Sequence, residues 1–194
     1  MIILAAAYEA TDPTIDSQVI AMQAAGADVF VNTAIPKFAA QAIRKAAEIQ
    51  WKPLHILSAV GAFVALTLRP AGLENAIGII SDFYLKDPTD PQWANDAGMK
   101  DFLTFMSKDF PDGNKLDAST VVGYSVTQTL LQVLKQCGDD LTRENIMKQA
   151  ASLKDFRLGL LLPGSLINTS PTDYRVIQYM KLQRFNGRSW DFVD

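Results

Sequence analysis

Polar and apolar positions alternate along the first half of this 194-residue chain with two different periods, one after the other. Ile15, Val19, Ile20, Met22 and Gln23 recur at helical spacings and stop at Gly26, while Thr11 or Asp12 can cap the segment and Pro13 suits its first turn. Asp28-Val-Phe-Val-Asn32 follows at once, short and β-rich, with apolar residues on consecutive positions. That pattern predicts a strand covered on both faces. Met1 to Ala7 reads as a further strand ending at Tyr8. Its apolar run is about half the length of a secretory h-region and has no basic flank.

The next units repeat the alternation. Pro36 to Gln50 is an amphipathic helix with Phe38, Ala39, Ala42, Ile43, Ala46 and Ile49 inward and Gln41, Arg44, Lys45 and Glu48 outward. Leu54 to Leu57 is a second parallel strand. A short helix near Phe63 to Leu68 is then ended by Arg69-Pro70 and Gly72, and a third strand runs from Ala76 to Tyr84. Lys86 to Trp93 carries two prolines and reads as an extended connection and hinge. Helices follow over Ala97 to Lys108, Asp117 to Gln136 and Thr142 to Leu153, the last with Thr142 as cap and Asn145 in a weak capping box. Leu160 to Ile167 and Arg175 to Val193 read as strands, with a hairpin turn at Asn186-Gly187. The fold class expected is α/β, with a doubly wound parallel sheet.

Composition narrows the function classes. A net charge of −3 leaves no basic stripe for phosphate neutralisation, so nucleic acid is excluded as an expected partner. No run approaches the roughly 18 apolar residues of a membrane span, and no membrane insertion is expected. The lone Cys137 reads as a packing residue, and the lone His55, between Leu54 and Ile56, as a buried structural one. No phosphate-cradling glycine motif is present, so no nucleotide cofactor is expected. Gly123-Tyr-Ser-Val-Thr127 lacks a nucleophile elbow's second glycine, and Asp109, Asp112, Asn114 and Asp117 miss the calcium-loop spacing. No cofactor, metal site or enzymatic activity is expected.

Ligands of an open parallel sheet bind beyond the carboxyl ends of its strands. Three such ends are Asn32-Thr-Ala-Ile35, Ser58-Ala-Val-Gly61 and Ser81-Asp-Phe-Tyr84. Asn32, Thr33, Ala34, Ser58, Ala59 and Val60 are therefore candidate ligand contacts, with Tyr84 as an aromatic wall. The competing reading is that Thr33 and Ser58 cap the helices that follow them.

Tyr8 to Val31 and the helix Pro36 to Ile49, with Ala39-Ala-Gln-Ala-Ile-Arg-Lys-Ala46, Gly72-Leu-Glu-Asn75, Lys86-Asp-Pro-Thr-Asp-Pro-Gln-Trp93 and Gly123-Tyr-Ser-Val-Thr-Gln-Thr-Leu-Leu131, give the chain its family likeness. In that order they resemble the extracytoplasmic solute-binding proteins of branched-chain amino acid ABC transporters, which are type I periplasmic binding proteins. The resemblance covers nearly the whole chain and corresponds to the C-terminal half of a family member. It implies that residues 1–85 and 165–194 belong to the second lobe, truncated at its start, and 86–164 to the hinge and the helical part of the first lobe. It also implies a periplasmic location, a small-molecule ligand, a permease partner and a ligand contact at Ser119 from the other lobe.

Family members that bind amino acids often carry an acid in the loop matching Ser58 to Ala62, and this loop has none. Of the two ligand classes that stay open, a branched-chain amino acid or an aromatic or aliphatic carboxylate without an ammonium group, this departure favours the second, and the chain alone is expected to bind it weakly or not at all. Two other readings stay open: a flavodoxin-like α/β enzyme using the same strand ends, and a structural fragment that oligomerises through an exposed sheet edge.

Overall fold

The computed structural model describes residues 1–193. The chain divides into two compact units, one formed by Met1–Phe83 with the stretch from Leu182 onward, the other by Tyr84–Lys181.

The first unit is built on a five-stranded sheet in the order β1 (Val29–Asn32), β2 (Leu54–Leu57), β3 (Ile80–Phe83), β4 (Lys181–Phe185) and β5 (Trp190–Phe192). β1, β2 and β3 are parallel, in a register that sets Val29 against Leu54 and Ile56 against Ile80. The α/β expectation holds, and the sheet is mixed: β4 and β5 are antiparallel to each other, and the N–H of Phe185 donates to the carbonyl of Ile79 at 2.9 Å. The Asn186-Gly187 turn stands as expected. Asn186 Oδ1 accepts from the N–H groups of Arg188 and Ser189, and Gly187 takes a φ of 97° that a side chain would resist.

Helix α2 (Pro36–Glu48) carries the core of this unit: Phe38, Ala39, Ala40, Ala42, Ile43 and Ala46 are buried, and Pro36 sits at its first turn, where a missing N–H is harmless. Helix α1 (Asp16–Ala24) packs on α2 and is tied to it by Lys45, which pairs with Asp16 at 2.8 Å. Gly26 ends the first helical unit with a φ of 75°, as predicted. Its start is different. Asp12 closes a turn by accepting from the N–H of Glu9, Thr14 Oγ1 accepts from that of Asp16, and the helix begins one turn later than Thr11 or Asp12 as cap requires; Ile20 faces solvent.

Three further expectations are corrected. Val29 and Val31 are 44% and 61% exposed while Phe30 and Asn32 are buried, so β1 is covered on one face only. Met1 to Ala7 forms no strand and is exposed; a strand needs a hydrogen-bonded neighbour, and among the described residues β1 pairs with β2 alone. Arg69-Pro70 does not stop the helix before it: Val64–Leu68, wound as a π-helix, runs into α3 (Arg69–Ala71), with Pro70 in a first-turn position, and Gly72 at φ 89° makes the stop. A second left-handed glycine, Gly78, delays β3 to Ile80, later than the predicted Ala76.

In the second unit α4 (Ala97–Lys108) starts on Asp96, whose carboxylate accepts from the N–H of Met99; α5 (Ala118–Cys137) starts on Asp117, and α6 (Arg143–Ala150) on Thr142. The cap on α6 is only half a capping box: Thr142 Oγ1 accepts from the N–H of Asn145, but Asn145 Nδ2 turns back to the carbonyl of Asp140. Phe102 and Phe105 both pack on Tyr124, and Cys137 is buried as a packing residue. Lys86 to Trp93 folds into turns: Asp87 accepts from Thr89 and Asp90 caps the short helix Pro91–Trp93. Buried Lys86 donates to Asp96 and to the carbonyl of Gly159, each at 2.7 Å. The predicted strand over Leu160 to Ile167 is reduced to isolated bridges, Leu161 with Leu85 and Ile167 with Phe156 and Ile177.

Candidate functional site

The carboxyl ends of β1 and β2 lie side by side because the two strands are parallel and in register, so Asn32 is opposite Leu57. The N–H of Ser58 then donates to the carbonyl of Asn32 at 2.9 Å, which brings the turns Asn32–Ala34 and Ser58–Val60 together. Six of the eight candidate residues thus gather at one end of the sheet.

Neither hydroxyl is used as a helix cap. The N-cap position of α2 is Ile35 rather than Thr33, and Ser58 stands at the cap of the short turn Ala59–Gly61 without a side-chain bond to it. That bond is made from β3: Asp82 Oδ1 accepts from the N–H of Ala59 at 3.1 Å. The half-buried Asp82 therefore brings a carboxylate to the loop that lacks an acid of its own. Sequence reasoning named Ser81 to Tyr84 as a strand end but overlooked this side chain. The signal was present, since an ionisable residue one position before the end of a buried strand needs a polar partner.

The Asn32–Ala34 turn is held from two directions. Asn32 Oδ1 accepts from the N–H of Ala34 at 3.1 Å, and Asn32 Nδ2 lies 3.3 Å from His55 Nε2. Tyr8, the second residue missed, accepts from the N–H of Ile35 at 2.9 Å and packs at a tilt against Phe38, with ring centroids 4.5 Å apart. His55 is 8% exposed and lies against Phe30; burial pushes its imidazole down to about 4, so the ring is neutral at pH 7.

Tyr84 and Ser119 belong to the second unit. Tyr84 is half-buried, which raises its phenol, and its carbonyl accepts from the N–H of Leu162. Ser119 gives both its hydroxyl and its N–H to Asp117, and these two donors hold that carboxyl below the usual range. Ser119 also lines a groove of about 590 Å³ with Phe105, Phe110, Tyr124 and Leu131. A larger cavity of about 910 Å³ lies at the opposite end of the first unit's sheet, where β2 begins at Leu54, far from the gathered strand ends. Among the described residues no three His, Cys, Asp or Glu side chains gather to hold a metal, and no helix is long and apolar enough to cross a membrane.

The first unit is thus an α/β lobe whose parallel strands β1 and β2 end in polar turns fixed by hydrogen bonds. The chain belongs to the periplasmic binding protein family, whose model matches residues 2–189. That family is non-enzymatic. The fold is similar to that of a branched-chain amino acid ABC transporter protein from Thermus thermophilus with bound valine (TM-score 0.76, 12% identity, 92% of this chain and 48% of that one). It is also similar to a substrate-binding periplasmic protein from Ralstonia solanacearum (0.74, 16%, 91% and 48%) and to a leucine-binding protein from Thermotoga maritima (0.68, 16%, 96% and 49%). The chain spans about half the length of these structures. No curated protein matches it in sequence.

Proposed function

We propose that this chain is the C-terminal part of the solute-binding component of an ABC uptake transporter, working in the periplasm and delivering a small carboxylate-bearing solute to a membrane permease. The observation that carries the reading is the pair of turns, Asn32–Ala34 and Ser58–Val60, which present the hydroxyls of Thr33 and Ser58 unused as caps. These hydroxyls receive the ligand carboxylate. Tyr84 and Ser119 are the two further ligand contacts that the reading assigns.

Asp82 changes the ligand class. With a carboxylate bonded to the N–H of Ala59, the loop has an acceptor for an ammonium group, so the reading favours an α-amino acid such as valine or leucine over benzoate. Leucine titrated into the 15N-labelled chain is expected to move the amide signals of Thr33, Ser58 and Ala59 at millimolar concentration. Asp82→Asn should weaken that binding about 10- to 100-fold, the effect of losing one charge-assisted hydrogen bond, and leave benzoate unharmed. Tighter binding of benzoate than of leucine by the unmodified chain would reject the amino acid assignment.

The uncovered sheet face favours a second property, self-association. Val29, Val31 and Leu54 form a solvent-facing apolar row on β1 and β2, beside a β1 edge without a strand partner among the described residues. Light scattering is expected to show a dimer, and Val31→Lys to return the chain to monomer. A monomer at high concentration in the unmodified chain removes this reading.

A further inference from the structure

The hydrogen bonds at the end of β1 assign the proton positions of a buried pair. The N–H of Ala34 can only donate, so the Asn32 atom facing it at 3.1 Å is the oxygen. The other end of the amide is then NH₂, which only donates, and it faces His55 Nε2 at 3.3 Å. Nε2 is therefore a bare acceptor and the imidazole proton sits on Nδ1. Both residues are enclosed, with Asn32 3% exposed, and the ring plane of His55 is held by Phe30, whose centroid is 4.6 Å away.

We propose that His55 is a positioning residue for the ligand-facing turn: by accepting from Asn32 it locks the amide in the rotamer whose oxygen holds the N–H of Ala34. It touches no ligand. The consequence for binding rests on the reading that Asn32–Ala34 faces the solute, whereas the locking itself does not. Without the acceptor, the amide loses the partner that tells its two ends apart, and Thr33 is carried on a turn with one restraint fewer. A histidine that merely fills the core would have its shape matter and its acceptor nitrogen not.

Three measurements on the full chain separate these cases. In the unmodified protein, long-range 1H–15N spectra at pH 7 are expected to show the Nδ1–H tautomer of His55; the Nε2–H tautomer overturns the proposal with no variant needed. His55→Phe keeps a ring beside Phe30 and removes the acceptor, and is expected to speed hydrogen exchange at the Ala34 amide about tenfold while the amides of Phe30 and Leu57 hold. His55→Gln, whose side-chain oxygen can reach the Nε2 position, is expected to restore slow exchange. Equal Ala34 exchange in all three proteins also overturns it. Leucine titration is then read separately: binding weakened about fivefold in His55→Phe and rescued in His55→Gln extends the positioning to the ligand. Faster exchange at Ala34 in a chain that binds no leucine upholds the lock and rejects the ligand reading instead.

Discussion

Gly98→Ala is expected to destabilise the second unit by about 3 kcal/mol, although glycine to alanine within a helix ordinarily stabilises by up to about 1 kcal/mol. Gly98 is the second residue of α4, and a Cβ there would lie 2.3 Å from the carbonyl oxygen of Gly159, 2.5 Å from its carbon and 2.6 Å from its Cα. All three are backbone atoms, so no side chain can swing aside. The displaced carbonyl is also one of the two acceptors of the buried Lys86 ammonium; the other, Asp96, caps the same helix. Burial alone would raise the Asp96 carboxyl, but Lys86 and the N–H of Met99 outweigh it and hold it low, so the ion pair and the cap form one unit. Pushing Gly159 away strains that unit as well as the contact. Thermal unfolding should show a fall of about 6–12 °C, at roughly 2–4 °C per kcal/mol for a chain of this size. Gly123→Ala is the control: it lies inside α5 with nothing within 4 Å of the added carbon, and there the helical preference for alanine should prevail. A Gly98→Ala protein as stable as the parent would show that the two backbones separate freely.

How much of this was legible from residues alone depends on whether the determining partner was local. α2, α4 and the Asn186-Gly187 hairpin were readable because their signals lie within a few residues: an apolar stripe, a capping aspartate, a glycine in a left-handed turn. The late start of α1 was less so: Thr11 and Asp12 read as its caps, but Asp12 closes a turn with Glu9 and it is Thr14 Oγ1 that accepts from the N–H of Asp16. The open face of β1 was not readable. Val29 and Val31 look the same in sequence whether a helix covers them or not, because burial is a property of what packs above the strand. The strand ends were located correctly by topology, but Asp82 reaching Ala59, and Tyr8 reaching Ile35, are bonds across 23 and 27 residues that follow from strand order rather than from any motif. Hence the turns could be named in advance, and the place of Asp82 near a strand end signalled that it needs a polar partner, but not that the partner is Ala59.

The second large effect is a loss of stability in mild acid carried by His55. Folded, this imidazole titrates near 4 because burial disfavours its charged form; unfolded, it takes its ordinary value of 6.5. Above pH 6.5 the ring is neutral in both states and contributes no slope. Between 6.5 and 4 the unfolded chain binds a proton that the folded chain does not, so stability falls as pH falls through that window. Below 4 both states are protonated and the penalty stops growing. At about 1.4 kcal/mol per unit, the full penalty is roughly 3 kcal/mol, a large share of the 5–15 kcal/mol typical of a folded domain. The carboxylates held low by their partners, Asp16 by Lys45 and Asp117 by Ser119, act in the same direction, but their losses come as pH falls from the ordinary value of 3.8 toward their own lowered ones. Urea unfolding of the unmodified chain and of His55→Gln at pH 7 and pH 4.5 isolates the histidine. The unmodified chain should lose most of the 3 kcal/mol between those two conditions and the variant little of it. An NMR titration of His55 with a midpoint near 6.5, or equal losses in both proteins, would show that the folded protein hydrates this ring. The same protonation turns Nε2 from an acceptor into a donor facing the Asn32 amide, so the Ala34 turn should loosen at the acid end of the same window.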